Sequence, residues 1–314
     1  MRTGHFVKGL FTLGFVLLSI APLPIWAQQA ANRGRANVNG VSLYYEIYGQ
    51  GAPLVIIHGG PGLDHTYLLP QLLKLADHYR LIFYDQRGSG NSTGTVDSAS
   101  MTIGTFVRDL DGLRAALKLD TINLLGHSWG GLLAMEYACT FPTRVGKIIL
   151  ENSAGPTSEW ELPLGRNRES RRTPADSVAL VKIMGSAGFA KRAPPAMEQF
   201  ARVFFRSYFH NQSLADSLTL TFSQETAKNI LPIFAFMGRQ IASYDLRPEL
   251  RKLECPVLII AGDDDPIPLS YAEQTHELIH GSKLVVLKDC GHFSFIEAPR
   301  RFLSACDDFL SDAK

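Results

Sequence analysis

The hexapeptide GHSWGG at residues 126–131 directly follows a continuous apolar run at residues 122–125 and directly precedes a stretch with helical periodicity. A serine in the sharp turn between a strand and a helix is pushed out of the sheet. The glycines beside it let the backbone turn and leave room for the helix. A Gly-x-Ser-x-Gly string alone is weak evidence, so its placement between strand and helix is the informative observation. We therefore predict that Ser128 is a nucleophile.

Short apolar runs bounded by turn residues recur on both sides of this motif and indicate strands buried on both faces. They lie at residues 43–48, 54–57, 81–84, 122–125, 148–150, 257–261 and 284–287. The first run alternates and follows Asn39-Gly40, which is a hairpin signal. Helical periodicity occupies residues 67–76, 103–117 and 132–138. This alternation of strands and helices predicts an α/β fold with a parallel sheet.

The alternation breaks over residues 153–250, which have helical patterns, many prolines and no clear strand. The strand pattern resumes at Pro256. We interpret residues 153–250 as a helical cap inserted into a single α/β core formed by residues 28–152 and 251–314. The alternative is a separate helical domain, but the return to the sheet favours an insertion.

A serine nucleophile needs a base, and after a turn of this kind the chain order is serine, acid, histidine. The apolar run at residues 257–261 leads into GDDDP at residues 262–266. Asp265 is the preferred acid because the chain beyond the strand lets its side chain fold back toward a histidine. Asp263 and Asp264 remain alternatives and otherwise suit turn or helix-cap positions.

His292 follows the run at residues 284–287 and lies 27 residues after Asp265, which leaves room for one helix and one strand. In this position its imidazole would take the Ser128 proton and later donate it to the leaving group. Asp265 would hold the histidine tautomer and stabilise the imidazolium.

The tetrahedral intermediate of acyl transfer needs backbone N–H donors. One donor is predicted from the residue after the serine, Trp129. The second is predicted from the segment HGGPG at residues 58–62, which follows the strand at residues 54–57. Small residues let that backbone approach a substrate oxygen, and we assign the Gly60 N–H to this role.

Together these segments resemble the α/β-hydrolase superfamily, and more narrowly the proline iminopeptidase-like hydrolases of the peptidase class. The resemblance is carried by HGGPG at 58–62, DQRGSG at 85–90, GHSWGG at 126–131, GDDDPIP at 262–268 and CGHFSFIEAP at 290–299. It implies a mostly parallel eight-stranded sheet with helices on both faces and an inserted helical cap. It also implies a triad of Ser128, Asp265 and His292, with Gly60 and Trp129 as oxyanion donors.

The resemblance further implies that glutamates of the cap hold the free α-ammonium of a peptide substrate. In that family one glutamate lies in a Trp-Glu segment and another precedes a Tyr-Phe pair. Here Tyr208-Phe209 is present, but the matching acidic position falls near Phe205, and Trp160-Glu161 lies at the start of the cap. Three other cap glutamates are candidates for the missing role: Glu169, Glu198 and Glu225.

Three functions follow from these patterns. The first is an aminopeptidase that acts through an acyl-enzyme, and the second is an esterase or amidase for small neutral substrates. The second draws on the aromatic cap segments at residues 204–205 and 234–236. The third is a non-catalytic binding protein, which the triad and oxyanion segment argue against. Epoxide hydrolases and haloalkane dehalogenases have an aspartate at the position of Ser128, and no metal or organic cofactor is required.

Charge and composition restrict the partners. The chain has 31 basic and 30 acidic residues, so it lacks the basic character of a nucleic-acid or membrane-surface protein. The four cysteines match no metal-site spacing and favour buried thiols. We expect a small-molecule or short-peptide substrate and no nucleic acid, while the oligomeric state stays open.

The first 27 residues indicate a secretory signal peptide. Arg2 and Lys8 precede an apolar run at residues 9–21, and Ala27 stands before a polar segment. The run is too short to span a bilayer comfortably, so we expect export to the periplasm or medium with no stable membrane span after cleavage. An uncleaved anchor is the alternative, because Ile25 is not small.

Overall fold

The computed structural model describes Met1 and residues 32–312. Apart from Met1, the predicted signal peptide lies outside the described residues. The strands are β1 Asn32–Val38, β2 Val41–Tyr48, β3 Pro53–Ile57, β4 Arg80–Tyr84, β5 Ile122–His127, β6 Val145–Glu151, β7 Val257–Gly262 and β8 Lys283–Leu287. They form one sheet in the order β1-β2-β4-β3-β5-β6-β7-β8. The pairs β1–β2 and β2–β4 are antiparallel and the others are parallel, which confirms the mostly parallel eight-stranded sheet.

Within residues 32–312, twelve α-helices accompany the sheet. They are α1 Leu69–Leu72, α2 Ile103–Ala116, α3 Trp129–Thr140, α4 Glu161–Arg171, α5 Pro174–Met184, α6 Ala187–Ala190, α7 Pro194–Arg206, α8 Gln224–Ile241, α9 Arg247–Leu250, α10 Leu269–Leu278, α11 Ser294–Glu297 and α12 Pro299–Ser311. Short 3₁₀ turns lie at His65–Tyr67, Leu73–Asp77, Pro142–Arg144, Ser158–Trp160 and Gln212–Ser217. Among the described residues, no helix combines the length and apolar character needed to cross a bilayer.

Two apolar layers cover the two faces of the sheet. Successive residues of a strand point to opposite faces, so Val55 of β3 joins a cluster with Leu110 of α2 and Leu133 of α3. Its neighbour Leu54 joins the opposite cluster, which contains Phe302 of α12. Both faces are therefore buried, which explains the continuous apolar runs of the central strands.

The predicted helix over residues 67–76 is wrong as a single element. The chain instead forms the 3₁₀ turn His65–Tyr67, the short helix α1 and the 3₁₀ turn Leu73–Asp77. Pro70 explains the break, because it lacks the N–H that a continuous helix would direct to the carbonyl four residues earlier. The leucine spacing had signalled burial correctly, since Leu72 is fully buried.

The segment between β6 and β7 contains α4 to α9, and its residues share a cavity with Ser128, which follows the carboxyl end of β5. An isolated antiparallel bridge between Thr157 and Asp245 joins its beginning to its end. The Trp160 indole donates to the Tyr244 hydroxyl at 2.6 Å and reinforces this junction. The His292 N–H donates to the Tyr208 carbonyl at 2.8 Å, which connects the cap directly to a core loop.

A cluster of polar side chains is buried between β2 and the segment after β3. The hydroxyls of Tyr44 and Tyr48 donate to the two Glu46 carboxylate oxygens, each at 2.5 Å. The His65 Nδ1 donates to Asp85 at 2.6 Å, and its Nε2 lies 3.8 Å from Glu46. Burial alone would lower the pKa of His65, but the hydrogen bonds and charges of Asp85 and Glu46 raise it to about 10. The imidazolium therefore neutralises two buried carboxylates.

Replacing His65 by glutamine is expected to lower the free energy of unfolding by about 3 kcal/mol near neutral pH, because Asp85 would lose its buried cation. Folding raises the pKa of His65 above its unfolded value of about 6.5. The stabilisation should be complete below about pH 6.5 and lost as the pH rises through about 10. Urea titrations of both proteins at about pH 6 and about pH 10 test this. The exposed His78→Gln variant is the control, and an equal effect in both variants would contradict the prediction.

Candidate active site

Ser128 occupies the turn between β5 and α3 in a conformation that side chains rarely adopt, with φ +57° and ψ −120°. A Cβ on Gly126 would lie 2.3 Å from the Gly130 carbonyl oxygen, and one on Gly130 would lie 2.1 Å from the Ile57 carbonyl oxygen. Both positions therefore require glycine. The Ser128 N–H donates to the Glu151 carbonyl at 3.0 Å, which fixes the strained turn against β6.

His292 and Asp265 form a buried pair at the carboxyl ends of β8 and β7. The His292 Nδ1 and an Asp265 carboxylate oxygen are 2.8 Å apart, and the two side chains are only 3% and 4% exposed. The other Asp265 oxygen accepts the Ile267 N–H at 2.8 Å. A carboxylate accepts rather than donates, so Nδ1 carries the hydrogen and Nε2 is left as the basic atom. Ser128 and His292 line the same cavity.

The other two aspartates of the same turn have different partners. Asp263 lies 3.2 Å from the Lys288 ammonium group. Asp264 pairs with Arg171 and accepts from His210 at 2.8 Å. Of the three aspartates, Asp265 is thus the one that the structure joins to His292, while its catalytic role stays a prediction.

The two predicted oxyanion donors also line the cavity. The Trp129 N–H is the first of α3, so no earlier helical carbonyl is available to it. In the described part of the chain, neither this N–H nor that of Gly60 donates to another residue. Gly60 has φ +121°, and a Cβ there would lie 2.8 Å from the Gly62 nitrogen. The position therefore requires glycine, and its donor role stays a prediction.

A buried hydrogen-bond chain connects the oxyanion segment to the histidine loop. The Gly59 N–H donates to the Tyr67 hydroxyl at 2.7 Å, and this hydroxyl lies 2.6 Å from the His127 Nδ1. The His127 Nε2 lies 3.1 Å from the His292 carbonyl oxygen. Burial, helped by the nearby His292 charge, places the pKa of His127 well below its ordinary value. A neutral His127 therefore accepts from Tyr67 and donates to His292, which fixes the two loops relative to each other.

Glu151 at the end of β6 is a site residue that sequence reasoning missed. It is fully buried, accepts from the Ser294 hydroxyl at 2.6 Å, and approaches the His127 Nε2 at 3.3 Å. Burial raises its pKa well above the ordinary value, so it is held as the neutral acid. The available signal was an acidic residue directly after the apolar run at residues 148–150.

The cavity above Ser128 has a volume of about 280 Å³. The core contributes the serine and histidine positions described above, and the cap contributes aromatic and aliphatic side chains. One face of α4 also forms part of the wall, at spacings of three, four and seven residues: Glu161, Leu164, Gly165 and Arg168. Apart from histidines, Glu161 and Arg168 supply all of the charged side chains among these lining residues.

The three glutamates predicted as substrate-binding candidates do not line this cavity, and their substrate-binding role stays a prediction. Glu169 is 61% exposed and pairs with Arg172 on the outer side of α4. Glu198 accepts the Phe222 N–H at 2.8 Å and so fixes a cap loop. Glu225 is 48% exposed near the start of α8. Helical periodicity does not reveal which face of a cap helix points toward the serine.

A different cap glutamate, Glu161, lies in the wall of this cavity. Its side chain lines the cavity, and in the described part of the chain it makes no hydrogen bond or ion pair. Burial raises the pKa of this carboxyl group, because no cation compensates for its lost hydration. The Trp160-Glu161 pair was noted in the sequence, but its position at the start of the cap gave no indication that it faces Ser128.

The strained serine turn, the His292–Asp265 pair and the cap-covered cavity together define a hydrolase of the α/β class. The family described as alpha/beta hydrolase fold matches residues 52–299. A proline iminopeptidase of Lactobacillus acidophilus is 30% identical over 290 residues, covering 88% of this chain and 97% of that protein. The chain therefore belongs to the α/β-hydrolase family, in its proline iminopeptidase-like branch, and is an enzyme.

Solved structures show the same fold. A proline iminopeptidase from Mycobacterium smegmatis superposes with a TM-score of 0.65 at 23% identity, covering 89% of this chain and 97% of that one. An esterase from Exiguobacterium antarcticum gives a TM-score of 0.66 at 22% identity, covering 89% and 99%. Since one fold serves both peptidases and esterases, the choice between them depends on the cavity.

Proposed function

We propose that this protein is a serine aminopeptidase that releases an N-terminal residue, preferably proline, from short peptides. The observation that carries the proposal is the unpaired Glu161 carboxyl group in the wall of the cavity that Ser128 and His292 also line. The curated relatives are named proline iminopeptidases, which supports the same reaction.

The proposed reaction gives each of the five predicted site residues one role. His292 Nε2 takes the Ser128 proton while Oγ attacks the carbonyl carbon of the first residue. The N–H groups of Gly60 and Trp129 stabilise the oxyanion. The His292 imidazolium then gives its proton to the leaving amine, and the peptide bond breaks. Water attacks the acyl-enzyme with His292 again as base, and Asp265 stabilises the imidazolium in both halves.

Glu161 is proposed to recognise the free amino terminus. An ammonium group entering the cavity would supply the cation that this half-buried carboxyl group lacks. A charge-assisted hydrogen bond of this kind is stronger than a neutral one, particularly where water is excluded. The same contact would exclude N-acylated peptides, because they cannot compensate the Glu161 charge.

Replacing Glu161 by glutamine is expected to raise KM for prolyl para-nitroanilide by about 10- to 100-fold, since hydrogen bonds to charged groups contribute about 1.5–3 kcal/mol. Hydrolysis of para-nitrophenyl acetate, which has no ammonium group, should change far less. Steady-state kinetics on both substrates provide the measurement. Glu169→Gln, an exposed glutamate on the same helix, is the matched control and should leave both activities intact.

Equal losses on the anilide and the ester in Glu161→Gln would count against ammonium recognition. They would indicate that Glu161 supports the cap rather than the substrate. A wild-type enzyme that hydrolyses the anilide only after N-acetylation would contradict the aminopeptidase proposal directly.

An esterase or amidase for small neutral substrates is the second candidate. It is favoured by the aromatic and aliphatic character of the cap wall, where Phe205, Phe234 and Ile241 line the cavity. In that case the ester would be hydrolysed and the anilide would not, and Glu161→Gln would have no selective effect.

A further inference from the structure

Helix α4 carries three arginines and a fourth directly follows it, and one of the four has an unusual environment. Arg171 and Arg172 form ion pairs with acidic side chains. Arg166 is exposed to solvent. Arg168 instead lines the active-site cavity on the same helical face as Glu161, two turns further along.

The Arg168 side chain packs against an aromatic ring and not against an acid. Its guanidinium carbon lies 4.6 Å from the centre of the Phe204 ring. Its Nε atom is buried and has no hydrogen-bond partner among the described residues. No acidic side chain in the described part of the chain pairs with it. The charge of the guanidinium and its hydrogen bonding to the Tyr208 hydroxyl oppose the rise in the Tyr208 pKa that burial causes.

This arrangement suits an anion with two oxygens. A guanidinium that stacks on a ring keeps its donors in the plane of the group, where they match the geometry of a carboxylate. A buried donor without a partner is costly, and a ligand oxygen would remove that cost. The partner that the cavity lacks is therefore a carboxylate group on the substrate.

We propose that Arg168 binds the free C-terminal carboxylate of the substrate, so that the enzyme acts on dipeptides and tripeptides. This rests on the proposed aminopeptidase function, which assigns the amino terminus to Glu161. The two side chains then form opposite ends of a site that selects peptides by their length.

The spacing along α4 sets that length. Seven residues of helix correspond to about 10.5 Å along its axis. An extended peptide covers at most about 3.3–3.6 Å per residue, so about three residues match this axial span. A dipeptide is shorter, and the long Glu161 and Arg168 side chains, which both line the cavity, would bridge the difference. The cavity volume of about 280 Å³ is also at the small end of the range for ligand sites, about 300–1,000 Å³.

The test compares two substrates that share one scissile bond, prolylglycine and prolylglycine amide. The wild-type enzyme is expected to have a kcat/KM about 10- to 100-fold higher for prolylglycine, mainly through KM. In Arg168→Met this ratio should fall to about one. Arg168→Lys keeps the charge without the planar donors, and an intermediate ratio is expected. Arg166→Met is the control on the exposed side of α4 and should keep the wild-type ratio.

Calorimetric binding to the Ser128→Ala variant separates this inference from the proposed function. Prolylglycine should bind more tightly than its amide, and Arg168→Met in that background should remove the difference. Carboxylate-dependent binding without any turnover by the wild type would overturn the aminopeptidase proposal and retain the role of Arg168. A wild-type enzyme that does not distinguish the two ligands would overturn the role of Arg168. A preference that survives in Arg168→Met would overturn it as well.

Discussion

Replacing Ser128 by alanine is expected to lower kcat/KM by about 10,000- to 1,000,000-fold on any substrate that the enzyme hydrolyses. The substitution removes the atom that forms the acyl-enzyme, and nothing else on the turn can replace it. The residual rate would come from oxyanion stabilisation and substrate binding by Gly60 and Trp129. Active-site titration with a fluorophosphonate provides a second measurement, because the variant should take up no label.

The fold should survive this change. Ser128 lies at φ +57°, where alanine and serine are similarly strained, and its hydroxyl makes no hydrogen bond with another described residue. The thermal midpoint is therefore expected to stay within a few degrees of wild type. Ser153→Ala is the matched control, since its hydroxyl donates to the nearby Ala154 carbonyl at 2.8 Å. Unchanged turnover in Ser128→Ala would exclude Ser128 as the nucleophile.

The serine turn was predictable because its requirements are local. The close approach of strand, serine and helix leaves no room for a side chain at positions 126 and 130. The resulting glycines are visible in a short stretch of sequence. The mostly parallel sheet was predictable for a related reason, since strands buried on both faces must be continuously apolar. For the acid that pairs with His292, the residue pattern left three candidate aspartates and favoured Asp265. Side-chain geometry at the end of β7 separates them.

The residues around the site could not be predicted, because they are brought together by contacts between distant parts of the sequence. Tyr67 and His127 are 60 positions apart, yet their hydrogen bond connects two loops of the candidate site. In the cap, α4 has charged residues on several faces, so periodicity does not show which one is turned inward. The packing of α4 over the sheet places Glu161 and Arg168 toward Ser128 and places Glu169 toward solvent. The cap residues that face the cavity were therefore the least predictable part of the site.

Replacing Asp265 by asparagine is expected to lower kcat by about 10,000-fold with little change in the fold. The carboxylate accepts the Nδ1 hydrogen of His292 and holds Nε2 as the base. An amide can present its NH₂ group to Nδ1 instead, which favours the tautomer with its hydrogen on Nε2. That tautomer cannot take the Ser128 proton, and the imidazolium would also lose its compensating charge.

The neighbouring aspartate provides a control in the same turn. Asp264→Asn alters a half-exposed residue that pairs with Arg171 and His210, and kcat should fall by less than about threefold. Pre-steady-state bursts on an activated ester would show slow acylation in Asp265→Asn alone. Full activity in Asp265→Asn would show that a different residue stabilises the His292 imidazolium. The next candidate would be Glu151 at the end of β6. Burial keeps Glu151 in its neutral form, however, and a neutral acid does not stabilise an imidazolium. Asp265 is therefore the residue whose charge the proposed mechanism requires.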